Sequence, residues 1–311
     1  PCPAAVMNTL ASMKSKLAVI EYITWASDIN VNTRSSALNA LACSASPAAL
    51  PVLMKEAKAV LYRWEVSGAT ASLLNYANNV GNTGDLKTMD KICKLVMAKS
   101  KEKLNVQYKS QALKTYARFH GFDAFNVLKK ASEYPEKSYR NAAFEASLAI
   151  PGKEIINAWI AYYPKAKADA RPEIISMLGR TGDDSVVPVI SIALRDADYR
   201  VRAEAAAAIA SLKGSAAVPE LIEYMLNATG QTDQEAVKSA LMSVSGNKEI
   251  ALLKPVLKDG SSIARKTAIE LLAWNKGNEY FREVLPFASS PDEPVRTAAV
   301  KALASLAGPA D

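Results

Sequence analysis

Residues Asp198–Leu212 read DYRVRAEAAAAIASL and residues Asp292–Leu306 read DEPVRTAAVKALASL. Each opens on an acid, places arginine four positions later (Arg202, Arg296), and sets small or apolar residues three, seven and ten positions beyond it: Ala205, Ile209 and Leu212 in one, Ala299, Leu303 and Leu306 in the other. Offsets of three and seven share one face of an α-helix. Each segment therefore predicts a helix that buries one stripe and begins close to its arginine.

The same register recurs outward in both directions. Lys109, Arg140, Arg171 and Arg202 stand 31 residues apart, as do Arg265 and Arg296, and Arg34 holds the pattern near the N-terminus. Val66 and Gln234 occupy the marker position in two further units, followed by Ala69, Leu73 and Tyr76 and by Val237, Leu241 and Val244. All steps between the markers are 31 or 32 residues except one of 43, from Val66 to Lys109. Apolar stretches such as Pro188–Leu194, Pro219–Leu226, Ile250–Leu257 and Phe281–Phe287 predict a first helix before each marked one. Gly152, Gly182, Gly214, Gly246 and Gly277 fall between hairpins. A period in this range reads as a solenoid, in which no hairpin buries its stripe alone and stacking supplies the core. Nothing alternates with period two for long enough to predict a sheet.

The motif resembles HEAT repeats, in particular the short bacterial type related to phycobilisome-lyase HEAT-like proteins. Asp198, Val201, Arg202, Ala205, Ala206 and Ile209 carry the resemblance, as do Asp292, Val295, Arg296, Ala299, Val300 and Leu303; Glu136–Tyr139–Arg140 and Asn30–Thr33–Arg34 are looser copies. It extends over about residues 25–308. It implies an all-α fold, an α-α superhelix of the HEAT/armadillo type with about nine helical hairpins, second helices on the concave side, and one domain over 1–311 that is a piece of a longer protein.

Arg34, Arg140, Arg171, Arg202, Arg265 and Arg296, with Asp198 and Asp292, read as a structural ladder. The acid suits capping of the second helix. The guanidinium fork suits a carboxylate or carbonyl of the next hairpin.

Charge is uneven. Residues 1–130 hold 17 basic and 8 acidic side chains, against 21 and 23 in the near-neutral remainder. The candidate binding positions are the basic second-helix residues Lys109, Lys114 and Arg118, with Lys129 and Lys130. Exposed positions are expected at offsets one, five and eight from each marker, including Asn39, Asn75 and Ala117. Lys87, Lys91, Lys94, Lys99, Lys101 and Lys103 read first as a solvated helix face.

Catalytic chemistry finds little material. The single histidine, His120, lies at a predicted helix end, where the helix dipole accounts for it. Cys2, Cys43 and Cys93 form no metal motif, and an odd number excludes a complete disulfide framework. Asp183–Asp184 and Asp196–Asp198 sit at turns, where capping explains them. Most of the aromatics from Tyr108 to Phe144, with Trp159, Tyr162 and Tyr163, read as packing, while Trp274 stands near a helix end.

No catalytic residue, metal or cofactor is expected, and no apolar run spans a bilayer. The expected role is a monomeric, non-catalytic scaffold or accessory module that binds a protein partner or spaces an attached domain. The start at Pro1 is compatible with an exported parent, favoured over a cytoplasmic one. The alternatives are a nucleic-acid-binding, DNA-glycosylase-like protein and a lyase-like or chaperone-like protein acting on a client.

Overall fold

The computed structural model describes residues 3–12, 18–100, 105–275 and 278–307. Cys2, Lys101, Lys103, Gly277 and Pro309–Asp311 lie outside the described residues. Among those described there is no strand. The helices are α1 (Pro3–Ser12), α2 (Val19–Trp25), α3 (Val31–Ser44), α4 (Ala49–Ala59), α5 (Ala69–Asn82), α6 (Leu86–Lys99), α7 (Val106–His120), α8 (Phe125–Ser132), α9 (Lys137–Leu148), α10 (Glu154–Tyr162), α11 (Ala170–Gly179), α12 (Val187–Ala193), α13 (Tyr199–Lys213), α14 (Val218–Asn227), α15 (Gln231–Val244), α16 (Asn247–Ile250), α17 (Lys254–Asp259), α18 (Ser262–Trp274), α19 (Phe281–Val284) and α20 (Glu293–Leu306).

They form two compact units, Pro1–Ala158 and Trp159–Asp311. In the first, the second helices α1, α3, α5, α7 and α9 pack in sequence, and α2, α4, α6 and α8 form the other layer. In the second, α11, α13, α15, α18 and α20 form the corresponding row. The hairpins run from α2–α3 to α19–α20, nine among the described residues, and α1 adds one second-layer helix before them. The sequence pattern did not mark α1, whose Met7 and Ala11 are buried.

The second helices begin where the ladder predicts. Asn30, Asp198 and Asp292 cap α3, α13 and α20, with Asp198 Oδ1 accepting from the Arg200 amide at 2.9 Å. Glu136 sits at the N-cap of α9 without a side-chain capping bond. The residue at the marker position then turns back on its own hairpin. Arg34 donates to Asp28 O (2.7 Å), Arg140 to Tyr134 O and Pro135 O, Arg202 to Asp196 O (2.7 Å), Arg265 to Leu257 O and Arg296 to Ser290 O. These carbonyls lie in the last turn of the first helix (Leu257) or just after its end, where no amide of that helix remains to reach them. The ladder therefore chiefly closes each hairpin's own turn, whereas the sequence analysis aimed it at the next hairpin. Arg202 reaches the next hairpin as well, at Asp233, and Arg171 reaches Asp196.

Gln234, the marker without charge, does the same through Nε2 to Met225 O and Ala228 O. The second unit of the first stack corrects the register. Val66 is exposed and precedes α5, while Thr70 is fully buried and its hydroxyl donates to Arg63 O at 3.0 Å. Thr70 is the marker there, and the extra length of the long step is shared between the steps on either side of it.

Alanines let neighbouring second helices approach closely. The Ala208 Cβ lies 2.5 Å from where a Cβ on Gly179 would stand, so α11 and α13 meet at a position that only glycine fits. The position eight after the marker is buried at Ala42, Ala117, Gly179 and Ala210, half-buried at Asn78, Leu148, Met242 and Ala273 and exposed at Ala304, so this offset does not form a continuous exposed row. The stretch Tyr199–Asn227 is long and apolar enough by composition to cross a membrane, with mean hydropathy 1.2. A 3-10 turn at Gly214–Ala217 breaks it into α13 and α14, and both pack into the stack. Neither Cys43 nor Cys93 is in a disulfide; Cys93 is fully buried and its thiol is pushed up to about 12 by that burial.

Candidate functional site

The exposed row of the second helices in the first unit lies at offsets one and five from the marker. It brings the half-buried Asn39 on α3 and the exposed Asn75 on α5, Lys114 on α7 and Asn141 and Glu145 on α9 onto successive helices of one layer. Lys114 forms an ion pair with Glu145, one repeat further on. Arg118, one turn beyond Lys114, donates to Asn78 Oδ1 at 2.8 Å and to Asn82 Oδ1 at 3.3 Å on α5. Four asparagines on one 14-residue helix, Asn75, Asn78, Asn79 and Asn82, are costly for helix propensity. Asn79 is consumed in structure, its Nδ2 donating to Ala42 O at 2.9 Å. The others leave a surface of amides and paired charges.

The structure separates the five basic candidates. Lys109 is only 8% exposed. Its ammonium stands 3.6 Å from the Tyr134 ring centroid and 4.7 Å from that of Tyr139, so aromatic faces hold it and it is no part of the surface. Lys114 and Arg118 are exposed on the row and matched as described. Lys129 and Lys130 lie on α8, a first-layer helix, and do not join the second-helix surface.

His120 ends α7. Its Nε2 lies 2.6 Å from Asp90 Oδ1 on α6, and its ring stacks on Tyr116 at 4.2 Å. Burial pushes the Asp90 carboxyl upward, but hydrogen bonds from Lys94 and His120 outweigh it and hold it below the usual range. Asp183 caps Ser185, and Asp196 accepts from Tyr163, Arg171 and the Asp198 amide. Trp159, Tyr163, Tyr139 and Phe144 are core, while Trp274 is half exposed. Among the described residues no three histidine, cysteine or carboxylate side chains gather as a metal set.

In the second unit the positions five after the marker include Ala207, Ser239 and Lys301, which are exposed, and Glu270, which is half-buried. Lys238 pairs with Glu270 at 2.5 Å, one helix on, as Lys114 does with Glu145. A shallow groove of about 260 Å³ runs between Lys266, Glu270, Thr297 and Lys301. A cleft of about 520 Å³ opens beside Arg195, Asp196, Glu220, Glu223, Tyr224 and Asp233, and its charges are matched in pairs: Arg195 with Glu223, Lys213 with Glu220, Arg202 with Asp233. Sequence reasoning missed Asp233, Thr70 and the Asn78–Arg118–Asn82 set. The one available signal was that Asp233 stands 31 residues after Arg202, the repeat length itself.

Comparison with known proteins agrees with the architecture. Residues 156–242 match the family model of HEAT repeats. No curated protein matches the sequence. A mutant of Kap121p is similar in structure, with a TM-score of 0.52 at 11% identity, over 98% of this chain and 39% of that one. An engineered protein (TM-score 0.35, 16% identity, 97% of this chain and 94% of that one) and a TOG-domain array of microtubule polymerases (TM-score 0.38, 13% identity, 97% and 90%) are more distant in shape.

Proposed function

Because the chain is built of HEAT repeats, we propose that it is a non-catalytic scaffold whose second-helix row binds a protein partner. HEAT repeats typically present surfaces of this kind. The observation that carries the reading is the matching of charge along the row. Lys114 is paired with Glu145, and Arg118, hydrogen-bonded to the neutral amides of Asn78 and Asn82, is left as a single cation among asparagines, so the excess of basic residues in the N-terminal part does not line up as a continuous positive strip there. Asn39, Asn75 and Asn141, on α3, α5 and α9, offer both donors and acceptors along the layer, which suits a polypeptide better than a polyphosphate.

A photo-crosslinking residue at Asn75, compared with one at Lys55 on the other layer, tests this. One protein crosslinked from Asn75 and not from Lys55 supports it. Nucleic acid retained on a filter at low salt, with retention falling steeply as salt rises, contradicts it and favours the nucleic-acid reading.

A further inference from the structure

Helix α5 is weak in its second half. Asn75, Asn78, Asn79, Gly81 and Asn82 place five poor helix formers within eight residues. Two of them serve the packing. Asn79 holds Ala42 O, and the Phe119 ring of α7 lies 2.6 Å from where a Cβ on Gly81 would stand, so glycine lets α5 and α7 meet. Packing gives no such reason for Asn75, Asn78 and Asn82, of which the first and last are exposed. Asn78 and Asn82, one turn apart, share a face of α5 and both accept from the exposed Arg118: Nη1 to Asn78 Oδ1 at 2.8 Å, Nη2 to Asn82 Oδ1 at 3.3 Å. The Phe119 ring centroid stands 5.2 Å from the guanidinium carbon. A carboxylate in this place would fix the guanidinium and cancel its charge. Two neutral oxygens fix it and leave the charge standing.

No acid nearby removes that charge. The second helices α3, α5 and α7 carry no carboxylate at all. Of their cations, Arg34 closes its own turn on Asp28 O, Lys109 lies against the Tyr134 and Tyr139 rings, and Lys114 pairs with Glu145 of α9. The acids of the adjoining α6 are held elsewhere. Asp85 caps that helix through the Thr88 amide, and the charge that acts on it is that of Lys87. Asp90 is bound by Lys94 and His120. Among the described residues no acid pairs with Arg118, and the amide nitrogens of Asn78 and Asn82 have no partner. A guanidinium carries five N–H groups, so most of those of Arg118 remain open.

We propose that Arg118, held between Asn78 and Asn82, is the docking point for an acidic side chain of the polypeptide that the second-helix row binds; the proposal rests on that reading and adds the chemistry of the partner. The open N–H groups of the fork meet the carboxylate in a charge-assisted pair, and the two amide nitrogens supply further donors beside it. The guanidinium is already oriented, which lowers the cost of binding. One isolated cation suits one carboxylate, whereas a nucleic acid needs a succession of them. Amides stand on either side of Arg118 along the layer, Asn75 on α5 and Asn141 on α9. The bound segment therefore runs past the carboxylate in both directions, and the acid is an aspartate or glutamate within it, not a chain terminus.

A phage-displayed library of random linear peptides, panned against the whole chain, tests the proposal. The expected result is a set of retained peptides sharing an aspartate or glutamate. Replacing that acid by its amide lowers affinity for the parent about tenfold or more. Arg118→Gln, at an exposed position, lowers it as much with unchanged helical circular dichroism, and the two changes together lose no more than either alone. Asn82→Asp supplies a carboxylate from within the chain and also removes the preference, with Arg118 still in place. The proposal is overturned, with the scaffold reading intact, if retained peptides block crosslinking from Asn75 yet share no acid, or if the amide-substituted peptide or Arg118→Gln binds like the parent. If the parent retains no peptide, the scaffold reading fails and the proposal falls with it.

Discussion

Arg202 joins consecutive hairpins by a two-pronged ion pair with Asp233, Nε to Oδ1 at 2.8 Å and Nη2 to Oδ2 at 2.7 Å. The Tyr224 hydroxyl donates to the same carboxylate, and Arg202 Nη1 holds the Asp196 carbonyl of its own turn. Burial of Asp233 works against its charge, but the bonds from Arg202 and Tyr224 win and hold its carboxyl below the usual range. Arg202→Ala strands a carboxylate that is 7% exposed, at a cost of roughly 2–4 kcal/mol. A lowered Tm in thermal melts checks this. The depressed carboxyl contributes stability above the ordinary aspartate range and loses it as pH falls through the folded value, so the parent's advantage over the variant shrinks in acid.

Glu65 predicts a second pH dependence, in the first unit. Burial raises its carboxyl, and hydrogen bonds from Ser67 and Ala69 with the charge of Arg34 bring it below the ordinary value. Stability from this group is complete above the unfolded glutamate value and is lost as pH falls through the lower folded one. Glu65→Gln should lower stability by about 1–2 kcal/mol near neutrality. In melts taken from about pH 7 to about pH 3 the parent should lose more than the variant. Parallel curves would show that the carboxylate does not hold the turn.

The register at α5 is testable through two neighbours. Thr70→Val removes the hydroxyl from Arg63 O and leaves that carbonyl short of its side-chain donor, so a loss of about 1–2 kcal/mol in denaturant unfolding is expected. Val66→Ala, at an exposed position, should stay within about 0.5 kcal/mol. The reverse order would restore Val66 as the marker.

Gly179→Ala places a Cβ 2.5 Å from Ala208 Cβ and 3.0 Å from Ala208 Cα, which is backbone and cannot move aside without shifting α13 against α11. The expected loss is about 1–3 kcal/mol, read from the unfolding midpoint. Ala207→Gly on the exposed side of α13 provides the control: it costs about 1 kcal/mol through helix propensity alone.

Much of this architecture is legible in the chain. The spacing from Lys109 to Arg202 located four second helices, and the acids at 198 and 292 located the caps of α13 and α20. The slip at Val66 has a physical cause. Positions four apart share a helix face, so Ala69, Leu73 and Tyr76 fit a marker at 66 while Leu73, Leu74 and Ala77 fit one at 70. Periodicity does not separate the two, and the hydrogen bond from Thr70 does. Offset eight is buried in four units because a second helix flanked by second helices on both sides as well as by its own first helix has a wider buried arc, as over Ala117 and Ala210, while at Ala304 on the last second helix it is exposed. At the candidate site the charges were readable but their partners were not. Glu145 lies 31 residues from Lys114 and Asn78 lies 40 from Arg118, distances that only the stacking brings to contact.

The claim on which the rest depends is that each hairpin leans on the next through contacts one repeat apart. A double-mutant cycle on Arg202→Ala and Asp233→Asn measures this directly. The account predicts a coupling of about 1.5 kcal/mol or more between the two positions. A coupling below about 0.5 kcal/mol, with the Arg202→Ala variant melting like the parent, would contradict it.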